Sequence, residues 1–294
     1  MSADKPILRP KKGTLLPYLL SCVEAGMVLG ATSSQRCGPR ICKLSKSRTK
    51  LYPTRGKRRR GFTLVEMLVV IAIVAVLTSL GIAGYRSASN KARQVKCMSN
   101  QRQIGTAAIA FSLDHHGSFP QASHRLDASN YDQAWIGTLA PYLDQIDEVR
   151  ICPADPNGDR RLEEGGSSYI FNSFLTVEKT DPFGQVLPGS YTKTHQISFP
   201  AETPLAFVIN FEKGPGRTND HTHSDTWLSW ARVLDDIQVD AFRVGSSATN
   251  RTKGSSNYLF ADGHVENLKA ATIHAWIISG YNFADPQAIQ NKTN

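Results

Sequence analysis

An α+β fold is predicted, in which a long N-terminal helix packs its second half against a small antiparallel sheet. Three observations predict it. Residues 62–82, FTLVEMLVVIAIVAVLTSLGI, carry a single charge, Glu66. Residues 85–113 are polar but keep apolar positions at Val95, Met98, Ile104, Ala108 and Phe111. That is the spacing of an amphipathic helix with one buried stripe. Beyond Pro120 the chain breaks into short runs separated by Gly, Pro, Asn and Asp, with one clear hairpin at 256–268, SNYLFADGHVENL.

The elements follow in chain order. Residues 1–60 have no steady periodicity. The stretch LLPYLLSCVEAGMVLGA (15–31) is apolar but interrupted by Pro17 and Glu24, too short and too broken for a membrane span. A basic run over 43–60 ends in KRRR. The leader reads as disordered, or as partly untranslated if Leu51 marks the start. A helix over 62–82 spans about 30 Å, the thickness of a bilayer's hydrocarbon core. The adjoining KRRR run holds the N-terminus in the cytoplasm and sends everything after Gly84 to the other side. One helix is expected from Phe62 to Leu113, ended by Gly117 and Pro120 in DHHGSFP. Four segments result: a basic leader (1–61), a transmembrane half-helix (62–84), a periplasmic half-helix (85–113) and a globular domain (114–294). Within that domain WIGTLAPYL (135–143) reads as a short helix and PLAFVINF (204–211) as a strand. In the hairpin, Asp262-Gly263 supplies the tight turn. ATIHAWIIS (271–279) reads as a strand or short helix.

Charge narrows the function. The formal net charge is +9, but the first 60 residues hold 15 Lys and Arg against two acids. The remainder holds 19 bases against 23 acids, a net of −4. A phosphate-binding surface needs its cations on the folded body, so no nucleic acid is expected as a partner.

The segment RRRGFTLVEMLVVIAIVAVL (58–77) resembles the class III signal of type IV prepilins and type II secretion pseudopilins. It combines a basic leader, Gly61 at the cut, Phe62 as the new N-terminus, Glu66 at mature position five and an unbroken apolar helix. The resemblance implies that a prepilin peptidase cleaves after Gly61 and methylates Phe62. It also implies a structural subunit rather than an enzyme, polymerised with other pilin-like subunits by an inner-membrane platform and its ATPase. The location implied is single-pass in the inner membrane, N-terminus cytoplasmic and C-terminal domain periplasmic, then in the filament. An acid inside lipid costs roughly 2.5–3.5 kcal/mol at mid-bilayer and normally has a partner. The resemblance supplies one for Glu66: the N-terminal amine of a neighbouring subunit's Phe62. The alternative is that Glu66 snorkels to water.

The likeness extends further. KCMSNQRQIGTAAIAFSLDHHGSFP (96–120), VRICPADP (149–156) and NYLFADGHVENL resemble the first exported stretch, second cysteine segment and C-terminal processing-associated motif of a pilin-like family. That motif has a His ten residues before its Asp-Gly pair; here the position holds Thr252. Cys22, Cys37 and Cys42 lie in the leader, leaving Cys97 and Cys152 beyond it. An even pair in an exported segment suggests one disulfide, two reduced buried thiols being the alternative.

Other chemistries are weakly marked. His115-His116 and HTHSD (221–225) contain metal-ligand types without a fixed third ligand. On a strand, His221, His223 and Asp225 would share a face. No cofactor is expected; the resemblance leaves calcium as an option in the C-terminal loops, but no oxygen-rich run matches a calcium loop. There is no Gly-x-Ser-x-Gly elbow, phosphate loop or His-Glu-x-x-His. Asp235, Asp236 and Asp240 read as an exposed acidic turn. Rival readings are an adhesin or DNA-uptake minor subunit, a polymer-binding module if Trp227 and Trp230 are exposed together, and a membrane-anchored exported enzyme.

Overall fold

The computed structural model describes residues 61–123, 132–183, 185–243, 245 and 251–293. The expectations for the leader, including its three cysteines, lie outside the described residues. Helix α1 runs unbroken over Leu64–Asp114, 51 residues and about 75 Å at 1.5 Å per residue. It ends where the Gly117 N–H reaches back to the Ser112 carbonyl and Gly117 itself turns with φ +81°.

After α1 the described residues form a four-stranded antiparallel sheet with short helices around it. In order come α2 (Trp135–Leu139), α3 (Ile146–Val149), α4 (Gly158–Glu163), β1 (Tyr169–Phe171), α5 (Ser173–Thr176), β2 (Pro204–Val208), α6 (Trp230–Asp236), β3 (Ser255–Phe260), β4 (Val265–Lys269), α7 (Ala270–Ile278) and α8 (Pro286–Thr293). The strand order is β1-β2-β3-β4, with Ile170 opposite Phe207, Phe207 opposite Tyr258 and Tyr258 opposite Glu266. The 256–268 hairpin is thus as expected, the strand expected over 204–211 forms but ends at Val208, and 271–279 resolves as helix.

Strand alternation explains why β2 reads as continuous apolar sequence. Leu205, Ala206 and Val208 join one buried cluster with Tyr169, Phe171 and Leu259. Phe207 joins a second with Ile170, Tyr258 and Phe260. The central strands are buried on both faces and need apolar residues at every position. The first cluster takes its cover from Cys97, Ile104, Ala107, Ala108 and Phe111 of α1. The second takes it from Val233 of α6, Ile273 and Ile277 of α7, and Trp227 and Phe283.

The buried stripe of α1 differs from the expected one in two ways. Val95 is 56 % exposed and lies off the stripe. The inward positions are Gln94, Cys97, Gln101, Ile104, Ala108 and Phe111, alternating steps of three and four, so two amides occupy places expected to be apolar. The Gln101 side chain bonds across to the body, its Nε2 donating to the Asn257 main-chain carbonyl, and Asn257 Nδ2 donates to the main-chain carbonyl of Gln94 at 2.9 Å. The Gln94 side-chain oxygen accepts instead from Lys91 Nζ on α1 itself at 2.8 Å. Asn100 Nδ2 donates to the Ile151 carbonyl at 2.9 Å.

Candidate assembly and processing site

Gly61 and Phe62 precede α1 without helical structure, and Phe62 is 73 % exposed. Thr63 is the N-cap of α1. Its Oγ1 accepts from the Glu66 N–H at 3.2 Å, while Glu66 Oε2 accepts from the Thr63 N–H at 2.8 Å and from the Thr63 hydroxyl at 2.9 Å. This reciprocal capping box satisfies donors that a helix N-terminus leaves open and places the carboxylate at the positive end of the helix dipole. Thr63 is thus a partner for Glu66 beyond the two expected, a neighbour's Phe62 amine and water. The signal was present, since Thr63-Leu64-Val65-Glu66 is the T-x-x-E pattern of a capping box.

Beyond the cap, the described side chains in the apolar half of α1 are exposed. Its most hydrophobic window has none of its residues buried, and Leu64, Ile71 and Leu77 are each more than 60 % exposed. Thr78 Oγ1 and Ser79 Oγ donate back to the Val74 and Val76 carbonyls, so both hydroxyls are satisfied within the helix. Exposed to water, each such side chain forfeits roughly 1.5–3 kcal/mol of burial. A lipid phase or a bundle of like helices is what this surface fits.

Lower on α1, Cys97 meets Cys152 in the first cluster; both are buried free thiols. Burial opposes charge on Cys97, but hydrogen bonds from Cys152, Tyr169 and Asn257 outweigh it and hold this thiol below the ordinary range. The bond to Cys97, burial and the charge of Cys97 push Cys152 well up. Tyr169 Oη lies 3.4 Å from Cys97 Sγ. A further turn along, the hairpin tip meets the helix. Gly263 has φ +88° and packs on Ile109, and Gly105 faces the Gly263 backbone. The Asp262-Gly263 motif is therefore a helix contact as well as a turn. Asp262 Oδ1 also accepts from the His264 N–H at 3.1 Å and meets its ring Nδ1 at 2.6 Å. Thr252, ten residues before the turn, is half-buried just ahead of β3.

Several expectations are corrected here. HTHSD does not form a strand: Ser224–Thr226 is a 3₁₀ turn, and Asp225 pairs with Lys179 at 3.6 Å, away from the histidines. His221 Nδ1 engages Asp220 at 2.8 Å. Among the described residues no His, Cys, Asp and Glu group is placed to hold a metal ion. Asp236 and Asp240 are buried, not an exposed turn. Asp236 receives Lys213 Nζ at 2.7 Å, the Trp227 indole N–H at 2.8 Å and the His223 N–H at 2.8 Å. Asp240 is bound by Arg243 and Arg251. Trp227 is 1 % exposed and Trp230 half-buried, so they make no joint exposed platform. An open groove of about 630 Å³ between α1 and residues 142–149 carries Lys96, Arg102, Asp144 and Glu148, with no His or Cys in its wall.

A bare apolar helix with a capped acid at its head, carried on a small α+β body, defines a membrane-anchored subunit built to pack with copies or relatives of itself. Residues 56–82 match the family model described as "Prokaryotic N-terminal methylation motif", and residues 86–149 match "Protein of unknown function (DUF1559)". The chain is 31% identical over 129 residues to type II secretion system core protein G of Klebsiella michiganensis, covering 44% of this chain and 89% of that protein. It is 35% identical over 126 residues to the protein of the same description from Aeromonas hydrophila, covering 42% and 87%. It is 28% identical over 111 residues to competence protein ComGC of Bacillus subtilis, covering 38% and 95%. No solved structure matches. The chain belongs to the pilin-like pseudopilin family, whose members are filament subunits.

Proposed function

We propose that this chain is inserted in the inner membrane with its leader cytoplasmic, cut after Gly61 by a prepilin peptidase, methylated on Phe62 and assembled into a type II secretion pseudopilus or type IV pilus-like filament. Its role is structural and not enzymatic. The observation that carries the reading is the unburied apolar half of α1, headed by the Thr63–Glu66 box two residues after the glycine. Residues 62–84 lie in the bilayer before assembly, and 85–113 with 114–294 lie in the periplasm. An assembly platform and its ATPase drive extraction.

Cleavage changes the electrostatics at the head of the helix. In the precursor the Phe62 nitrogen is a neutral amide; after the cut it is an ammonium. Glu66 then has a cation available, either on its own chain or on a neighbour. The carboxylate already accepts from the Thr63 N–H and hydroxyl, and a neighbouring ammonium adds a full positive charge opposite it, making an ion pair with a hydrogen bond. That pairing sets the axial register between subunits. Cys97 and Cys152, two buried thiols in contact, oxidise to a disulfide that ties α1 to the loop after α3.

The test is the mass and N-terminal sequence of the protein recovered from membranes. N-methylated phenylalanine at position 62 is expected. An intact leader in cells with an active prepilin peptidase overturns the reading.

A further inference from the structure

The C-terminal region holds an arrangement that neither assembly nor processing uses. Helix α7 ends at Ile278, and Gly280 follows with φ +80°. The Gly280 N–H donates to the Ile277 carbonyl at 3.0 Å and the Tyr281 N–H to the Trp276 carbonyl at 2.9 Å. This is a Schellman motif, which brings the side chain after the glycine against the last turn of the helix. Both residues that meet there are aromatic. The Trp276 and Tyr281 rings stand 5.8 Å apart at 89°, forming two walls of a corner.

A cation occupies that corner. Lys292 Nζ, from α8, lies 4.4 Å from the Tyr281 ring centroid and 5.3 Å from that of Trp276. Both distances are within the roughly 6 Å over which a ring face attracts a cation. The same corner opens into a cavity of about 130 Å³, whose other walls include Phe260, Phe283, Glu202 and Glu266. Burial first, then the charges of Glu202 and Asp285, raise the Tyr281 hydroxyl. Two ring faces at right angles with carboxylates at the rim match the chemistry of an alkylammonium group. Lys292 is itself exposed and belongs to the chain's final helix, so it can leave without uncovering the core.

We propose that Trp276, Tyr281, Glu202 and Glu266 form a binding corner for an alkylammonium group, filled by Lys292 of the same chain until a competing cation displaces it. Self-occupancy reduces the apparent affinity for an outside ligand to the intrinsic affinity multiplied by the fraction of time the corner is empty.

The full chain in a non-ionic maltoside detergent is titrated with tetramethylammonium chloride at constant ionic strength. Tryptophan fluorescence is followed against a Trp276→Phe control. Lys292→Ala is expected to bind saturably, with a midpoint about tenfold below that of the unsubstituted chain. The neutral isostere tert-butanol is expected to give no saturable change. Glu202→Gln with Glu266→Gln, which leaves the aromatic packing in place, should weaken the tetramethylammonium response in the Lys292→Ala background. Choline and Nα-acetyl-lysine amide, run in parallel, separate a quaternary headgroup from a protein lysine as the source, and tighter binding of either supports the site. Absence of saturable binding in Lys292→Ala, an equal response to tert-butanol, or indifference to the two glutamate substitutions overturns the proposal.

Discussion

Gly105 on α1 and Gly263 at the hairpin tip touch so closely that a β-carbon on Gly105 would stand 3.3 Å from the Gly263 α-carbon and 2.7 Å from Leu259 Cδ1. The contact works both ways, since a β-carbon on Gly263 would fall 2.7 Å from Ile109 Cδ1. The turn motif therefore locks the helix to the sheet through two missing side chains. Gly105→Ala gains about 1 kcal/mol of helix propensity and spends it on moving Leu259, so little net change is expected. Gly105→Leu drives a branched side chain into the Gly263 backbone and is expected to destabilise by about 3 kcal/mol. Gly263→Ala has no propensity gain and a left-handed φ to sustain, so a loss of about 1–3 kcal/mol is expected. Urea unfolding of the detergent-solubilised chain, followed by near-ultraviolet circular dichroism, ranks the three. Equal stability for Gly105→Leu and the unsubstituted chain would remove the lock.

Asp236 governs the acid stability of the far side of the sheet. Burial opposes its ionisation, but Lys213, the His223 N–H and the Trp227 indole overcome that and hold its carboxyl below the usual range. The unfolded chain therefore takes up this proton at a higher pH than the folded one. Stability from Asp236 is fully present above the ordinary carboxylate value of about 4 and is lost as pH falls through the folded value. Asp236→Ala leaves Lys213 and the buried indole without an acceptor and is expected to cost about 3 kcal/mol at pH 7. The variant should also show a shallower decline below pH 4 than the parent. Urea midpoints at pH 7, 4 and 3 measure both.

How far the fold was legible follows from which interactions are local. The hairpin was readable because Asp262-Gly263 and its flanking strands are neighbours in sequence. The 204–208 strand was readable because burial on both faces writes an unbroken apolar run. Gln94 and Gln101 were not, because this stretch of α1 is held to the sheet by Asn257, about 160 residues away, which accepts from the Gln101 side chain and donates to the Gln94 main chain. Val95 was misplaced for the same reason: its hydrophobicity suited the stripe, but the register of Gln94 and Cys97 turned it outward. Asp236 and Asp240 looked like surface acids because their partners Lys213, Trp227, Arg243 and Arg251 are distributed over several loops. At the head of α1 the capping box was written in four consecutive residues, so its geometry was available to inspection.

The thiol pair yields a redox prediction. Cys97 and Cys152 enclose a loop of about 55 residues, so a bond between them is expected to stabilise by about 4 kcal/mol on chain-entropy grounds, less any strain. The lowered Cys97 thiol makes it the attacking partner once an exported dithiol oxidase supplies the disulfide. Intact mass after alkylation of the unfolded, unreduced protein recovered from cells should show the two cysteines protected, and both modified once reduction precedes alkylation. Reduction should lower the thermal midpoint of the parent and leave Cys97→Ala/Cys152→Ala unmoved. Full alkylation without prior reduction would leave only two packed thiols.

The acid at the head of α1 separates stability from assembly. Glu66→Gln keeps the side-chain length and leaves its carbonyl oxygen able to accept from the Thr63 N–H, so helix capping is expected to change by less than 1 kcal/mol. It cannot attract an ammonium. If the carboxylate's role is to meet the Phe62 amine of a neighbour, Glu66→Gln should be inserted and processed like the parent yet enter filaments at least tenfold less. Thr63→Val does the reverse: it removes the hydroxyl from the box, leaves the charge, and should reduce incorporation far less. Quantifying each variant in sheared filaments against membranes distinguishes the two roles. Equal losses for Glu66→Gln and Thr63→Val would mean that the cap itself, and not its charge, is what assembly requires.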